Sequence, residues 1–320
     1  MMEILVTGAA GQIGSELTME LRRRYGNDNV VAAGHKTKPS EALRNSGPFE
    51  RVDVTQREEI ERVVEHYKID TIYHLAAILS AAGEQNPQLA WNVNINGLYN
   101  ILEVAREQGL KKIFCPSSIG VFGPQTPREK TPQETVLNPA TIYGVTKVTG
   151  ELLGDYYFRR FGLDVRGIRY PGIISSETLP GGGTTDYAVE IFHEALKHRH
   201  YTCFVREDTV LPMMYMPDAI RAAIELMEAP LSKLKHHANF NVAAMSFSAG
   251  ELAAEIMKRI PGFVCEYRPD FRQKIADSWP RTIDDSAARE EWGWQPRWNL
   301  AAMTKDMLER LGKRYAEGER

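Results

Sequence analysis

The stretch EILVTGAAGQIG, residues 3–14, runs a set of β-branched and apolar residues into three glycines, Gly8, Gly11 and Gly14. Ile13, Leu17, Leu21 and Tyr25 then recur every four residues, which is the period of one helix face. A strand that passes into a helix through glycines brings backbone close to whatever rests on the turn. The amides and dipole of the new helix favour an anion there, so a pyrophosphate fits, and side chains at the glycines would block it. A glycine triplet is also plain turn chemistry. The strand-to-helix setting selects a dinucleotide cradle made of Gly8, Gly11, Gln12, Ile13 and Gly14, spaced GxxGxxG rather than GxGxxG.

Working outward, EILVTG, NVVAAG, FERVDV, TIYHLAA, KKIFCPSS and DVRGIRYPGII read as strands, separated by segments of helical period such as Ile60, Val63, Val64 and Tyr67. This alternation predicts an α/β fold, a Rossmann-type doubly wound parallel sheet with a smaller C-terminal substrate-binding lobe. Residues 1–172 form the expected dinucleotide-binding domain. After it, SSETLPGGGTTDY, residues 175–187, concentrates turn residues and interrupts the alternation. Residues 173–320 are therefore assigned mainly to the substrate lobe, with segments around 211–243 returning to the first domain. MPDAIRAAIELMEAP, SAGELAAEIMKRIPG and LAAMTKDMLERLGKRYAEG read as amphipathic helices, and FNVAA as a short strand.

The 320 residues carry 39 basic and 42 acidic side chains, a net charge of −3, which points to neither nucleic acid nor an anionic membrane as a partner. No apolar run approaches the roughly 20 residues that span a bilayer. The three cysteines, Cys115, Cys203 and Cys265, are far apart and odd in number, so they are expected as free thiols, Cys115 packing in the core. With a chain that starts directly on a strand and shows no basic leader, these features give a cytoplasmic expectation. The eight histidines form no HExxH and do not cluster with the cysteines, so no metal site is expected.

The ends of the later strands supply candidate ligands, because open α/β sheets bind at carboxyl strand ends. The second strand ends in Gly34, His35, Lys36 and Lys38 rather than in an acid for the adenosine ribose; this leaves room for a 2′-phosphate, or is a solvated basic loop with NAD held by other contacts. Asp53, followed by Val54, is placed either to accept from the adenine amino group or to cap the helix that starts near Gln56. HLAA brings Leu75, Ala76 and Ala77 to the same edge.

PSSIGVFG, residues 116–123, provides hydroxyls about 25 residues before Tyr143, and Lys147 follows Tyr143 by one helical turn. To take a proton from an alcohol near neutral pH, a phenol must be favoured in its ionised form, and a neighbouring ammonium does that. Tyr-x-x-x-Lys alone arises by chance on amphipathic helices. Together with the glycine cradle and the upstream serines it reads as catalytic machinery: Ser118, Tyr143 and Lys147.

On these motifs, in this order, the chain resembles the extended short-chain dehydrogenase/reductase family. RYPGII, residues 169–174, looks like that family's segment beside the nicotinamide, which implicates Tyr170 and Ile173. Within the family, AAILSAAGE, SSIGVFGP, IRYPGIIS, GGGTTDYAVEIF, LPMMYMPDA and SWP are similar to the L-threonine 3-dehydrogenases. The resemblance implies oxidation of the threonine β-hydroxyl to 2-amino-3-oxobutyrate, with Tyr143 as base, Lys147 on the nicotinamide ribose and Ser118 on the reacting oxygen, where those enzymes often carry threonine. It implies NAD, with NADP left open by Gly34 and His35. Ser80, Thr184, Thr185 and Asp186 would meet the charged groups of L-threonine, Asp186 its ammonium. GGGTTDY independently suits a small zwitterion, having free amides and hydroxyls for a carboxylate and one acid for an amine; the alternative is that Thr185 or Asp186 caps the next helix. Trp279 either closes the pocket or anchors the core.

Two other functions fit the same motifs: a nucleotide-sugar epimerase or dehydratase, and a non-catalytic dinucleotide sensor. The helices near residues 89–107 and 143–161 carry apolar residues around much of their girth, including Trp91, Leu98, Ile101, Leu102, Leu152, Leu153, Tyr156, Tyr157 and Phe161. This breadth, and the resemblance, predict a homodimer through a four-helix interface.

Overall fold

The structure is a computed structural model and describes residues 2–179 and 181–318. Its strands are β1 (Ile4–Thr7), β2 (Val30–Gly34), β3 (Phe49–Arg51), β4 (Thr71–His74), β5 (Lys112–Phe114), β6 (Ser117–Ser118), β7 (Asp164–Arg166), β8 (Ile168–Tyr170), β9 (Gly172–Ile174), β10 (His200–Cys203), β11 (Val210–Tyr215), β12 (Phe240–Asn241), β13 (Met245–Ser248) and β14 (Val264–Tyr267). The main sheet has the order β3-β2-β1-β4-β5-β7 and is parallel throughout. Every residue of β1 is buried because helices cover both faces. Ile4 and Val6 face a layer containing Leu17 and Leu21 of the helix Gln12–Tyr25 and Ala222 and Leu226 of the helix Met216–Glu228. Leu5 faces the opposite layer, where Ile60, Val63, Leu98, Ile101 and Tyr157 pack. This is the doubly wound architecture expected.

Two long apolar runs break up. KKIFCPSS gives β5 and β6, divided at Pro116, which has no N–H to continue the ladder. DVRGIRYPGII gives β7, β8 and β9, divided at Gly167 and Pro171. A Cβ at Gly167 would stand 2.4 Å from the Ala238 carbonyl oxygen and 2.5 Å from that of Cys115, so only glycine lets three segments converge there. As a result β7 edges the main sheet, β8 sits between β6 and β12, and β9 pairs with β11. FERVDV forms strand only over Phe49–Arg51, which leaves Asp53 in the loop beyond.

The third core cluster belongs to the C-terminal part, where Phe192, Met213, Leu252, Ile256 and Met307 pack around β9, β11 and β13. The helix Met216–Glu228 and β12 nevertheless pack on the first part, against the helix Gln12–Tyr25 and β8. The apolar girdle read as an interface divides as well. Leu98, Ile101, Leu102 and Tyr157 are buried against their own sheet, whereas Trp91, Leu152, Tyr156 and Phe161 are exposed. No helix among the described residues is long and apolar enough to cross a membrane.

Candidate active site

β1 ends at Thr7, and Gly8 turns the chain with φ +69°, a backbone state that L side chains rarely adopt. A Cβ at Gly8 would lie 2.6 Å from the Ala76 nitrogen, and one at Gly14 only 2.2 Å from the Gly8 carbonyl oxygen. Gly11 then starts the helix Gln12–Tyr25 with no side-chain cap on its first amides. A turn closed to a Cβ at Gly8 and Gly14, beneath an uncapped helix start, fits the pyrophosphate of a dinucleotide. Below it, Thr7 Oγ1 and His74 Nδ1 lie 2.8 Å apart, and burial pushes the His74 imidazole down to about 3, so it is neutral.

A cleft of about 530 Å³ continues from this cradle. It is lined by Gly8, Gly11, Gln12, Ile13 and Gly14, by Leu75, Ala77 and Ser80, by Ser118, Tyr143 and Lys147, by Tyr170 and Ile173, and by Thr184, Thr185, Asp186 and Trp279. Ala76 lines a small adjoining cavity behind Lys147. Seventeen of the residues singled out from sequence thus converge on one space, from segments as far apart as residues 8 and 279.

Tyr143 stands in the first turn of the helix Ile142–Phe161, which Thr141 caps by accepting the Gly144 N–H at 3.0 Å. Its ring is buried beside Gly120, and among the described residues its hydroxyl has no protein partner. The Lys147 ammonium sits 5.6 Å from the centre of the Tyr143 ring and donates to the Pro116 carbonyl at 2.7 Å. The Ser118 hydroxyl accepts the Gly120 N–H at 3.1 Å, which leaves its own proton to be donated. Arrangement and chemistry suit proton removal from an alcohol.

On the opposite wall, Ser80 and Thr184 pair hydroxyl to hydroxyl at 3.1 Å, and the Thr184 N–H also donates to Ser80. Both line the cleft while tying its walls together. Asp186 does not cap the helix Tyr187–His198; its carboxylate reaches back to accept the Gly182 and Gly183 N–H groups at 2.9 and 2.7 Å. Burial pushes Asp186 up to about 6 despite those two bonds and the Arg272 charge, with Glu190 adding to the rise. Trp279 is almost fully buried in the C-terminal core, as an anchor there would be, and also lines the cleft.

Besides Ala76, three residues assigned to the cofactor stand outside the lining of this cleft. His35 and Asp53 lie past the ends of β2 and β3, with His35 Nδ1 3.4 Å from Asp53 Oδ2. Asp53 accepts the Thr55 N–H and hydroxyl and caps no helix. Burial raises its carboxyl, but the Thr55 bonds and the His35 and Lys36 charges outweigh that and leave it below its ordinary value. The Val54 side chain is buried in the core against Gly97, so it offers a ligand only backbone.

Sequence reasoning missed Asn94, which sits in a π-helical turn, Asn92–Asn96. Its amide holds both the N–H and the carbonyl of Ile78 in the cleft wall and donates to Thr146, one turn from Tyr143. It missed the Glu151–Arg169 ion pair, which is buried under Ser117. Neither has a local signature, because each partner is remote in sequence. Among the described residues no group of three or more His, Cys, Asp or Glu could hold a metal ion, and all three cysteines are free.

Residues 4–243 match the NAD dependent epimerase/dehydratase family. The chain belongs to that family. An uncharacterized epimerase/dehydratase of Staphylococcus haemolyticus is 52% identical over 312 residues, covering 97% of this chain and 98% of its own. The L-threonine dehydrogenase of Clostridium difficile superposes with a TM-score of 0.95 at 52% identity, 98% of each chain being covered. A monomeric L-threonine 3-dehydrogenase from a metagenome has a TM-score of 0.93 at 52% identity, with 97% of this chain and 99% of that one covered. Family and neighbours support an enzyme of the oxidoreductase or epimerase type that uses a nicotinamide dinucleotide.

Proposed function

We propose that this member of the NAD dependent epimerase/dehydratase family is an L-threonine 3-dehydrogenase. The observation that carries the reading is the convergence of Ser118, Tyr143 and Lys147 with the glycine cradle and the Thr184–Thr185–Asp186 wall on one cleft. Similarity across nearly the whole chain to solved L-threonine dehydrogenases supports it.

Gly8, Gly11, Gln12, Ile13 and Gly14 would hold the pyrophosphate, Asp53 and the Val54 backbone the adenine side, with His35 near the adenosine ribose, and Leu75, Ala76, Ala77, Tyr170 and Ile173 the remainder. The bound dinucleotide, NAD by family, supplies the hydride acceptor. Tyr143, as phenolate, takes the β-hydroxyl proton of threonine while Ser118 donates a hydrogen bond to the same oxygen. Lys147 stabilises that phenolate and reaches the ribose. Thr184, Thr185 and Ser80 receive the carboxylate, and Asp186 the ammonium. Trp279 closes the cleft over the bound amino acid. Loss of one hydride and one proton from the β-carbon and its oxygen gives 2-amino-3-oxobutyrate.

Two broader statements belong with this reading. Residues 1–172 would act as the dinucleotide-binding unit and 173–320 mainly as the substrate lobe, with the stretch around 211–243 returning to the former. In a cytoplasmic setting consistent with three free thiols, exposed Trp91, Leu152, Tyr156 and Phe161 would meet a second copy of the chain. Sedimentation at micromolar concentration tests this against the monomeric state of the metagenome relative.

The decisive experiment measures reduced nicotinamide formed with L-threonine, offering NAD and NADP separately at alkaline pH. Turnover is expected, and Tyr143→Phe should lower kcat by about 100- to 10,000-fold while dinucleotide binding survives. No turnover with either dinucleotide, together with turnover of a nucleotide sugar, would replace the reading with the epimerase alternative.

A further inference from the structure

The loop that leaves β9 toward the cleft is fastened before it gets there. Ser175, fully buried, donates to Glu16 Oε1 at 2.5 Å and accepts the Glu177 N–H at 3.0 Å. Glu16 lies in the second turn of the helix that opens on the glycine cradle. One residue earlier on that helix, the Ser15 hydroxyl is 3.2 Å from the hydroxyl of Thr178. From the other side, Arg314 of the C-terminal helix Leu300–Ala316 donates to the carbonyls of Ser176 and Glu177. Arg310 of the same helix lies 3.8 Å from the Glu177 carboxylate. Beyond these contacts the loop enters the cleft through Thr178, Leu179, Gly181, Gly183 and the Thr184–Thr185–Asp186 wall.

We propose that Glu16 is a positioning residue: by holding Ser175 against the cradle helix, it fixes where the loop stands over the substrate and how firmly it stays closed. The proposal rests on the cleft being the substrate site. Glu16 touches neither substrate nor reacting atoms, and it acts through Ser175.

The same seal gives the clamp a pH dependence. With the loop closed, burial pushes the Glu16 carboxyl up from 4.5 to about 7. The Ser175 bond opposes the rise; the charges that face it are Glu177 from the loop, which raises it, and Arg310 and Arg314 from the C-terminal helix, which lower it. A loop that opens returns Glu16 to water and to its ordinary value. The closed loop therefore holds a proton that the open loop gives up, so closure is favoured most below about 4.5, weakens as pH rises toward about 7, and is constant above. A rise of this size sets a ceiling of about 300-fold on the opening equilibrium; partial solvation brings the expected change to about tenfold.

The test is hydrogen exchange across residues 176–179 and 183–186, expressed as protection factors, on the wild-type protein, Glu16→Gln and Glu16→Ala. Wild-type protection should fall about tenfold between about pH 5 and pH 8. Glu16→Gln keeps an acceptor for Ser175 and has no proton to lose, so its protection should stay high and flat. Glu16→Ala should also be flat with pH and about tenfold less protected than Glu16→Gln, with the helix Arg57–Tyr67 unaffected. In turnover, Glu16→Ala should raise KM for the amino acid about tenfold with kcat and dinucleotide Kd within about twofold, and Glu16→Gln should rescue it. If Glu16→Ala folds poorly, Ser175→Ala reads the same contact. A wild-type pH dependence that persists in Glu16→Gln, or exchange that rises in Arg57–Tyr67 as much as in the loop, overturns the proposal. Absence of threonine turnover in the wild type would sink the functional reading alone, since exchange needs no substrate.

Discussion

Replacing Glu151 by Gln should destabilise the protein far more than a surface substitution, and the cost follows from its surroundings. Glu151 is 4% exposed and accepts from Ser117 Oγ at 2.5 Å and from Arg169 Nε and Nη2 at 2.9 and 2.8 Å. Arg169 is also buried and donates from Nη1 to the Gln133 carbonyl and to Asn241 Oδ1. Glutamine keeps the shape but leaves the guanidinium charged, buried and without its counter-ion. Breaking such a pair costs about 3–5 kcal/mol. With roughly 2 cal/mol/K of unfolding entropy per residue, a chain of 320 residues has about 0.7 kcal/mol/K, so the loss corresponds to a Tm about 6 °C lower. Arg169→Met alone should cost a similar amount by stranding the carboxylate. Calorimetry on the two single variants and on Glu151→Gln/Arg169→Met completes the cycle. The double variant should lose at least about 2 kcal/mol less than the sum of the singles, because it strands no charge. Additive losses would show that the two side chains do not depend on each other and would refute this account of the network.

Three other perturbations test the site itself. Gly14→Ala places a methyl carbon 2.2 Å from the Gly8 carbonyl oxygen, so dinucleotide binding, followed by equilibrium dialysis, should fall at least about 100-fold. Asp186 retains its proton up to about pH 6, so a substrate ammonium meets a carboxylate only above that value. In a Glu16→Gln background, where the clamp no longer titrates, KM for threonine should therefore fall as pH rises through about 6, and in Glu16→Gln/Asp186→Asn it should be about tenfold higher and independent of pH there. Burial pushes the Cys203 thiol up to about 12, so in native protein near pH 8 mass spectrometry should find Cys203 unlabelled by iodoacetamide, and labelled once the chain is unfolded.

Much of this was legible before folding, because short-range rules govern it. Strand β1 and the glycine turn follow from adjacent residues, and the Tyr143–Lys147 spacing from one helical turn. The divided strands were not legible: residues 164–174 are apolar enough to read as one run, and the carbonyls that bend the chain at Gly167 come from Cys115 and Ala238. Asp186 has the sequence setting of a helix cap, yet its bonds run backwards to Gly182 and Gly183. Leu98 and Trp91 are both apolar and about two helical turns apart, and only the position of the sheet decides that one is covered and the other exposed. Glu16 looks like any solvated acid on an amphipathic helix until Ser175, far along the chain, closes over it.

The division of residues 164–174 among three sheets bears on how such a protein can change over time. One short piece of chain serves as edge strand of the large sheet, as middle of a second and as border of a third, and the later strands β11 and β12 attach to it from opposite parts of the molecule. No single cut along the chain separates the two parts of the molecule. A lineage could not acquire a new specificity by exchanging the C-terminal part as a cassette, since the transplant would have to match β8 and β9 in register as well as the helix Met216–Glu228. New substrates would instead have to come from point changes along the cleft wall, between Ser80 and Asp186, where the lining is set by individual side chains rather than by shared strands.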